Sequence, residues 1–301
     1  VSPPRVHVGP DQDPVIEKAV RRGGGRLAEP GSADAVVWLG DPDGLPAVLE
    51  PGVRWVQLPS AGIEHWLASG VIDSERAWTS AVGAYAGSVA EHALALILAG
   101  RRRLHECARA RRWDADLHGR PLAGATVTIV GAGGIGEALI RMLAPLGVSV
   151  IAVTRGGRAV AGAEAVAADR LDEVWSRSDV VVLAAPATPA TRHMLAEPQL
   201  RALPGHAWIV NVGRGALINH DALVRALRDG RIGGAALDVT EPEPLPDGHP
   251  LWELPNVLIT PHAANPLEVL RAELAERVAE NVARFAAGRD LLGAVDAGRG
   301  Y

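Results

Sequence analysis

Residues 127–136 read VTIVGAGGIG, four residues of strand character running straight into a glycine-rich turn. The turn, Gly131-Ala132-Gly133-Gly134-Ile135-Gly136, fits G-x-G-x-x-G, and Glu137 to Leu143 continues it as a helical run. The hexapeptide alone is weak evidence, but a strand before it and a helix after it make a dinucleotide-binding turn. Gly131 permits the tight turn, Gly133 lets the backbone approach a pyrophosphate, and Gly136 lets the helix pack closely on the sheet. Gly134 and Ile135 open that helix, whose first amides and partial positive charge face the phosphates.

Outward from this turn, further strand candidates are Val148 to Val153, Val180 to Leu183, Trp208 to Asn211, Ala235 to Asp238 and Val257 to Thr260. Helix-like segments separate most of them, the cadence of a doubly wound sheet. Upstream, Val6 to Val8, Val36 to Leu39, Trp55 to Leu58 and Ala77 to Ser80 are short apolar runs punctuated by Gly and Pro. Near-continuous apolar strands alternating with helices imply a parallel sheet there as well. The fold class read from the sequence is therefore α/β, with two Rossmann-like domains. A long apolar helix is expected from Gly87 past Leu98 towards Arg103, with Gly87 or Ser88 as its cap and Glu91 completing a capping box. A final amphipathic helix is expected over Leu267 to Ala287, with Gly288 closing it.

NAD sites usually place Asp or Glu at the end of the second strand, where it accepts from the ribose hydroxyls. Here the stretch reads Val153-Thr154-Arg155-Gly156-Gly157-Arg158, with Thr154 where the acid is expected. Arg155 can pair with a 2'-phosphate and Arg158 can assist. Without an acid, Thr154 also removes a repulsion against the extra phosphate. The reading favours NADP(H), with NAD(H) as the alternative.

A length of 301 residues suits two domains. The net charge of -5 argues against nucleic acid or an anionic membrane as the main partner. The single cysteine, Cys107, excludes an intramolecular disulfide framework and is expected to be a buried, inert thiol; no metal site is expected. Val1 to Pro14 lacks the apolar core of a signal peptide, and Ala93 to Ala99 is too short to span a membrane, so the expected compartment is the cytoplasm. Six arginines between Arg101 and Arg112 read as a solvated helix or a subunit contact, interrupted by Glu106 and followed by Asp114. Trp38, Trp55, Trp175 and Trp208 are expected in the core, while Trp66, Trp78, Trp113 and Trp252 are freer to line a cleft or an interface.

Three further strand ends carry reactive side chains. Arg214 follows one strand between Gly213 and Gly215, Asp238 ends another ahead of Glu243, and His262 follows the last. Open sheets bind ligands at such ends. Reduction of a 2-oxo acid needs the carboxylate held, the ketone polarised and a proton delivered as hydride arrives. An arginine fork, a histidine and a carboxylate that orients the histidine suit those tasks. Singly, each has a bland reading: a surface ion pair for Arg214, a solvated acid for Glu243, a loop residue for His262, a turn cap for Asp238.

With these segments the chain resembles the D-isomer-specific 2-hydroxyacid dehydrogenase family, and within it the NADP-preferring glyoxylate/hydroxypyruvate reductases. The resemblance rests on VGAGGIGEAL (130–139), NVGRGALINHDALVRAL (211–227) and AALDVTEPEPLPDGHPLWELPNVLITPHAA (235–264), and extends to LPSAGIEHW (58–66) and VAEHALALILA (89–99). It implies Arg214, Glu243 (not Glu241) and His262 as catalytic residues and Asp238 beside the nicotinamide amide and ribose. It places Pro186 on the loop lining the adenosine side and Val212, Gly213 and Ala264 among the cofactor contacts. Ser60, Ala61 and Gly62 form the implied substrate-carboxylate loop, together with Arg214 as substrate-binding residues. The implied domains are 1–93 plus 271–301 for substrate and 94–270 for the dinucleotide, in a homodimer. The chain departs from the family's common pattern at Thr240, where an aromatic is usual, and at Ser80, where Asn is frequent. The alternative from another class is a catalytically silent redox sensor or corepressor-like protein on the same fold.

Overall fold

The computed structural model describes residues 2–298, so residues 1 and 299–301, counted with the first domain from sequence, lie outside the described residues. The chain forms two compact units: one runs to Tyr85 and resumes at Asn265, and the other is Ala86–Ala264. The crossings expected at 93/94 and 270/271 fall inside helices, whereas the observed divisions lie at or just before helix starts.

The first unit opens with β1 (Arg5–Gly9), α1 (Pro14–Arg22), β2 (Arg26–Leu27), β3 (Ala35–Trp38), β4 (Trp55–Gln57), α2 (Glu64–Ser69) and β5 (Ala77–Thr79). Its five strands lie in the order β2-β1-β3-β4-β5, all parallel, with Val6 against Ala35, Ala35 against Trp55 and Trp55 against Ala77. α1 begins where Asp13 accepts the amides of Val15 (2.9 Å) and Ile16 (3.2 Å) ahead of Pro14 at the first turn. Its buried residues, Ile16, Ala19 and Val20, recur at helical spacing. A closing helix, Leu267–Ala286, returns to this unit. Its Ala279 carbonyl comes within 2.4 Å of where a side chain on Gly23 would begin, so only glycine fits there.

A buried polar network ties that helix to the sheet. Gln57 Oε1 accepts from Thr79 Oγ1 and Asn281 Nδ2, both at 2.9 Å, and Trp55 Nε1 donates to Thr79 Oγ1 at 2.8 Å. Asn281 also exchanges two hydrogen bonds with the Leu292 backbone, at 2.9 and 2.8 Å. Gly293 to Val295 then bond β5 and the residue after it, through Ser80 N to Gly293 O (2.8 Å) and Val295 N to Trp78 O (2.9 Å). The last strand of the sheet is therefore covered rather than left as an open ladder.

The second unit comprises α3 (Ala86–Arg101), α4 (Leu104–Arg109), β6 (Thr126–Val130), α5 (Gly134–Leu143), β7 (Ser149–Thr154), β8 (Glu164–Ala167), β9 (Val180–Leu183), α6 (Glu197–Ala202), β10 (Trp208–Asn211), α7 (His220–Arg228), β11 (Gly234–Leu237) and β12 (Val257–Ile259). Its seven strands are parallel in the order β12-β11-β10-β9-β6-β7-β8. The order reverses between β6 and β9, which creates a crevice at their carboxyl ends. Every residue of β9, β10 and β11 is buried, which explains their unbroken apolar character. β2 and β8 were not expected from sequence. One has two residues, and the other buries only Val166.

Several local expectations are corrected. α3 starts at Ala86, and Ser88 lies inside its first turn, where its hydroxyl donates to the Ala264 carbonyl at 2.9 Å instead of capping. Cys107 is exposed on α4, not buried. Trp66 and Trp78 are buried in the first unit's core, while Trp113 is 94 % exposed. Arg101 does not belong to a solvated face: it is buried, and its Nη2 donates to the Pro121 carbonyl at 2.8 Å. No helix among the described residues is long and apolar enough to cross a membrane, and no group of three or more His, Cys, Asp or Glu among them is placed to hold a metal ion.

Candidate active site

The glycine turn folds back over the end of β7: the amides of Gly131 and Ala132 both donate to the Val153 carbonyl, at 3.0 and 3.2 Å. Gly131 has φ +97°, and a Cβ there would lie 2.6 Å from the Ala185 amide nitrogen. A Cβ on Gly136 would lie 2.8 Å from the Gly131 carbonyl, so α5 presses directly on the turn. Gly133 differs, because nothing lies within 4 Å of the position its Cβ would take. Its open face adjoins the amides that a helix start leaves unpaired at Gly134 and Ile135. That arrangement fits a dinucleotide pyrophosphate.

At the end of β7, the hydroxyl of Thr154 is buried with no hydrogen-bond partner. Arg155 is exposed. Arg158 is laid back across the turn, its Nη2 donating to the Ala132 carbonyl (3.0 Å) and to Glu137 Oε1 (2.7 Å). Pro186 is exposed on the loop after β9, and its carbonyl accepts from Thr191 Oγ1 at 2.7 Å.

The loop after β10 is braced by buried Asn211, whose Oδ1 accepts from the Gly213 amide (3.1 Å) and whose Nδ2 donates to the Arg214 carbonyl (2.9 Å). Arg214 itself is extended at φ -144°, with Nη1 donating to the Gly213 carbonyl at 2.7 Å. Val212 and Gly213, the two residues before it, are buried. Gly215 then passes so close to the next loop that a Cβ would lie 2.0 Å from both the carbonyl carbon and oxygen of Thr240. The Arg214 loop and the loop bearing Glu243 are thus fitted backbone to backbone.

Asp238 directly follows β11 and is almost fully buried, at 3 % exposure. Its Oδ1 accepts from Thr260 Oγ1 (2.5 Å) and the Ala263 amide (2.8 Å), with His92 Nε2 at 3.2 Å, and its Oδ2 accepts from the Ala264 amide (3.2 Å). Burial alone would raise this carboxyl's pKa, but the bonds from His92, Thr260 and Ala263 outweigh it and hold the group below the usual aspartate range. These bonds flank His262, which sits in the left-handed region at φ +52° with its amide donating to the carbonyls of Asp238 (2.9 Å) and Thr260 (3.0 Å).

In that loop, His262 Nδ1 lies 2.6 Å from Glu243 Oε1, and Glu243 Oε2 accepts from the Thr240 amide at 3.3 Å. With Glu243 ionised, Nδ1 carries a proton and Nε2 becomes the nitrogen that gains or gives the second one. Glu241, two residues earlier, turns instead to Arg192 Nη1 (2.8 Å) and His193 Nε2 (3.4 Å). Arg214, Asp238, Glu243, His262 and Ala264 all belong to the Ala86–Ala264 unit, as does the glycine turn. Ser60, Ala61 and Gly62 follow β4 in the other unit, where Ser60 Oγ donates to the Gly62 carbonyl (2.7 Å) and accepts from Trp66 Nε1 (3.0 Å). The serine hydroxyl is therefore engaged by its own loop and by α2.

The family model described as D-isomer specific 2-hydroxyacid dehydrogenase, NAD binding domain, matches residues 94–264, more than half of the chain. The chain belongs to this family. Among its relatives is an uncharacterised protein in the proB 3' region of Corynebacterium melassecola, 43 % identical over 296 residues that cover 94 % of this chain and 95 % of the relative. A glyoxylate reductase of Aeropyrum pernix is 36 % identical over 223 residues, 70 % of this chain and 67 % of the relative. The crystal structure of a D-isomer specific 2-hydroxyacid dehydrogenase from Xanthobacter autotrophicus Py2, in complex with NADPH and MES, superposes with a TM-score of 0.87 at 29 % identity, covering 100 % of both chains. The two parallel sheets are those of this two-domain fold, and the chain is an NAD(P)-dependent D-2-hydroxyacid dehydrogenase family enzyme.

Two residues of this dehydrogenase that sequence reasoning passed over are structurally prominent. His92 stood in an apolar helical run, where a lone histidine gives no sign of partners 168 residues away. Asn211 headed a quoted motif without receiving a role. Its position directly before two glycines and an arginine was the available signal, since a buried amide can satisfy both backbone directions of a turn.

Proposed function

We propose that this enzyme reduces a small 2-oxo acid, glyoxylate or hydroxypyruvate, to the D-2-hydroxy acid, with NADPH preferred over NADH. The observation that carries the reading is the 2.6 Å pair between Glu243 and His262, on a loop locked against the one bearing Arg214. Arg214 directs its guanidinium charge to the carboxylate and ketone oxygen of the substrate and polarises the carbonyl. A nicotinamide cofactor whose pyrophosphate lay on the glycine turn would supply the hydride for the carbonyl carbon. His262 Nε2 gives its proton to the carbonyl oxygen, and Glu243 keeps the ring oriented and stabilises its cationic form. In the reverse direction the neutral ring takes that proton back. Asp238 fixes the backbone on either side of His262.

The cofactor preference is supported by Thr154 in place of an acid, by Arg155 and Arg158 beside it, and by the NADPH in the Xanthobacter relative. The substrate class is supported by the Aeropyrum glyoxylate reductase. A homodimer is supported by the exposed Leu104 (53 %) within the arginine-bearing segment and Trp113 (94 %) directly after it.

The test is a set of initial rates with glyoxylate, hydroxypyruvate, pyruvate and a branched 2-oxo acid, each with NADPH and with NADH. Turnover fastest with the two small acids and NADPH supports the assignment. Cofactor binding without turnover of any of the four would overturn it in favour of a silent sensor.

A further inference from the structure

NAD-type sites place a carboxylate at the end of the second strand, and this chain has Thr154 there. A carboxylate nevertheless reaches the same neighbourhood from the opposite side of the glycine turn. Glu137, in the first turn of α5, pairs with Arg158 from the loop after β7 at 2.7 Å. The same Nη2 of Arg158 holds the Ala132 carbonyl at 3.0 Å, while Nη1 donates to the adjacent Ala159 carbonyl at 3.5 Å. One tip of the guanidinium fork is thus occupied by a carboxylate, and the other lies against a backbone carbonyl.

We propose that Glu137 is a specificity-determining residue of this enzyme, restraining Arg158 and so limiting the preference for the 2'-phosphorylated cofactor. The inference rests on the assignment of Arg155 and Arg158 to the 2'-phosphate. Arginine grips phosphate best with two parallel N–H donors. With Nη2 committed to Glu137, a two-pronged grip requires exchange of that partner. The carboxylate also cancels the local positive charge and repels a phosphate that carries nearly two negative charges. The pair is not needed for folding strength, because its members are 59 % and 39 % exposed and surface pairs of this kind contribute little. Glu137 also faces the pyrophosphate end of α5, but that repulsion is common to NADH and NADPH and cancels in their ratio.

Glu137→Gln separates charge from position, since the amide oxygen can still accept from Arg158. Binding is read without turnover, from nucleotide fluorescence and tryptophan quenching on titration with NADPH and NADH. The NADPH-to-NADH affinity ratio is expected to rise about two- to fivefold in Glu137→Gln, the span that a surface ion pair can supply. The same rise is expected in Glu137→Ala. Arg158→Ala should lower the ratio, and the Glu137→Gln, Arg158→Ala double variant should match it, because Glu137 acts through Arg158. An equal change for both cofactors in Glu137→Gln would overturn the proposal and confine the residue to the pyrophosphate. An unchanged ratio would also overturn it. If Arg155→Ala lowers the ratio while Arg158→Ala does not, the proposal falls and the NADPH assignment survives. If the unaltered enzyme shows no preference and neither arginine variant changes the ratio, the NADPH assignment itself has failed.

Discussion

Gly215→Ala places one methyl group where the structure has no room for it. The new Cβ would lie 2.0 Å from the carbonyl carbon and oxygen of Thr240 and 2.6 Å from the Glu241 nitrogen. Carbon atoms rest about 3.5–4.0 Å apart, so the two loops must separate by about 1.5 Å. All three obstructing atoms are backbone, which a rotamer change cannot relieve. Overpacking of this kind costs about 1–3 kcal/mol, and each kcal/mol lowers the melting temperature by about 2–4 °C in a domain of this size. The rate should suffer more than the fold. Thr240 donates its amide to Glu243, which contacts His262, so displacement of Thr240 moves both relative to Arg214. A misplacement near 1 Å costs about 100-fold in rate, and kcat/KM is expected to fall by about that factor. The assay combines initial rates of 2-oxo acid reduction, a thermal melt followed by circular dichroism, and an NADPH titration, in which affinity should be retained. Gly31→Ala is the control, since no atom lies within 4 Å of its added methyl, and it should leave all three readouts at their original values. A Gly215→Ala enzyme with unaltered kcat/KM and melting temperature would falsify the reasoning.

Other expectations follow from the same geometry. His262→Gln should cut kcat by about 100- to 10,000-fold while NADPH still binds, because the ring transfers a proton and the cofactor does not depend on it; unimpaired turnover would remove His262 from the reaction. Glu243→Gln should reduce kcat with KM changed less, and an unchanged kcat would mean that the carboxylate does not act through the histidine. His220 is buried with Nε2 unpartnered, and burial, reinforced by His249, pushes it down to about 4, below its ordinary 6.5. The unfolded chain therefore binds a proton that the folded chain refuses between those values, so stability falls as pH drops from about 6.5 to about 4, by at most about 1.4 kcal/mol per pH unit. His220→Phe should flatten that slope in urea unfolding at a series of pH values; a slope identical to the parent's would contradict the assignment. Asp238→Asn should lower both stability and kcat, since it trades an acceptor shared by several donors for an amide that cannot serve them all.

The central strands of both sheets were legible because they are buried on both faces, which forces an unbroken apolar run. β9 and β10 occupy the same residues in the structure as in the sequence reading. β8 was not legible, since an edge strand with one buried side chain leaves no period to detect. The start of α3 was misplaced because Ser88 has the side chain of a cap, and only the fold brings it the Ala264 carbonyl as a competing acceptor. Cys107 followed the general tendency of free cysteines towards burial, and a six-residue helix at the surface overrode it. For the candidate site, the residue types and their places at strand ends were visible in the sequence. The close fit of Gly215 against Thr240 and the bracing of the Arg214 loop by Asn211 were not, because both are contacts of backbone shape and direction.

The hydrogen bonds from Asn281 to Gln57 and from Gly293 to Val295 onto β5 have a consequence for the order in which the molecule is made. Translation delivers the whole Ala86–Ala264 unit before the closing helix exists. The first sheet must therefore wait, its Gln57 amide short of a partner and the edge of β5 uncovered, while a complete dinucleotide-binding unit emerges behind it. During that interval the nascent chain exposes an unpaired strand of the kind that recruits other chains. A premature stop after residue 264 would make the interval permanent, so such a product should aggregate through its first 85 residues rather than through the unit that carries the glycine turn.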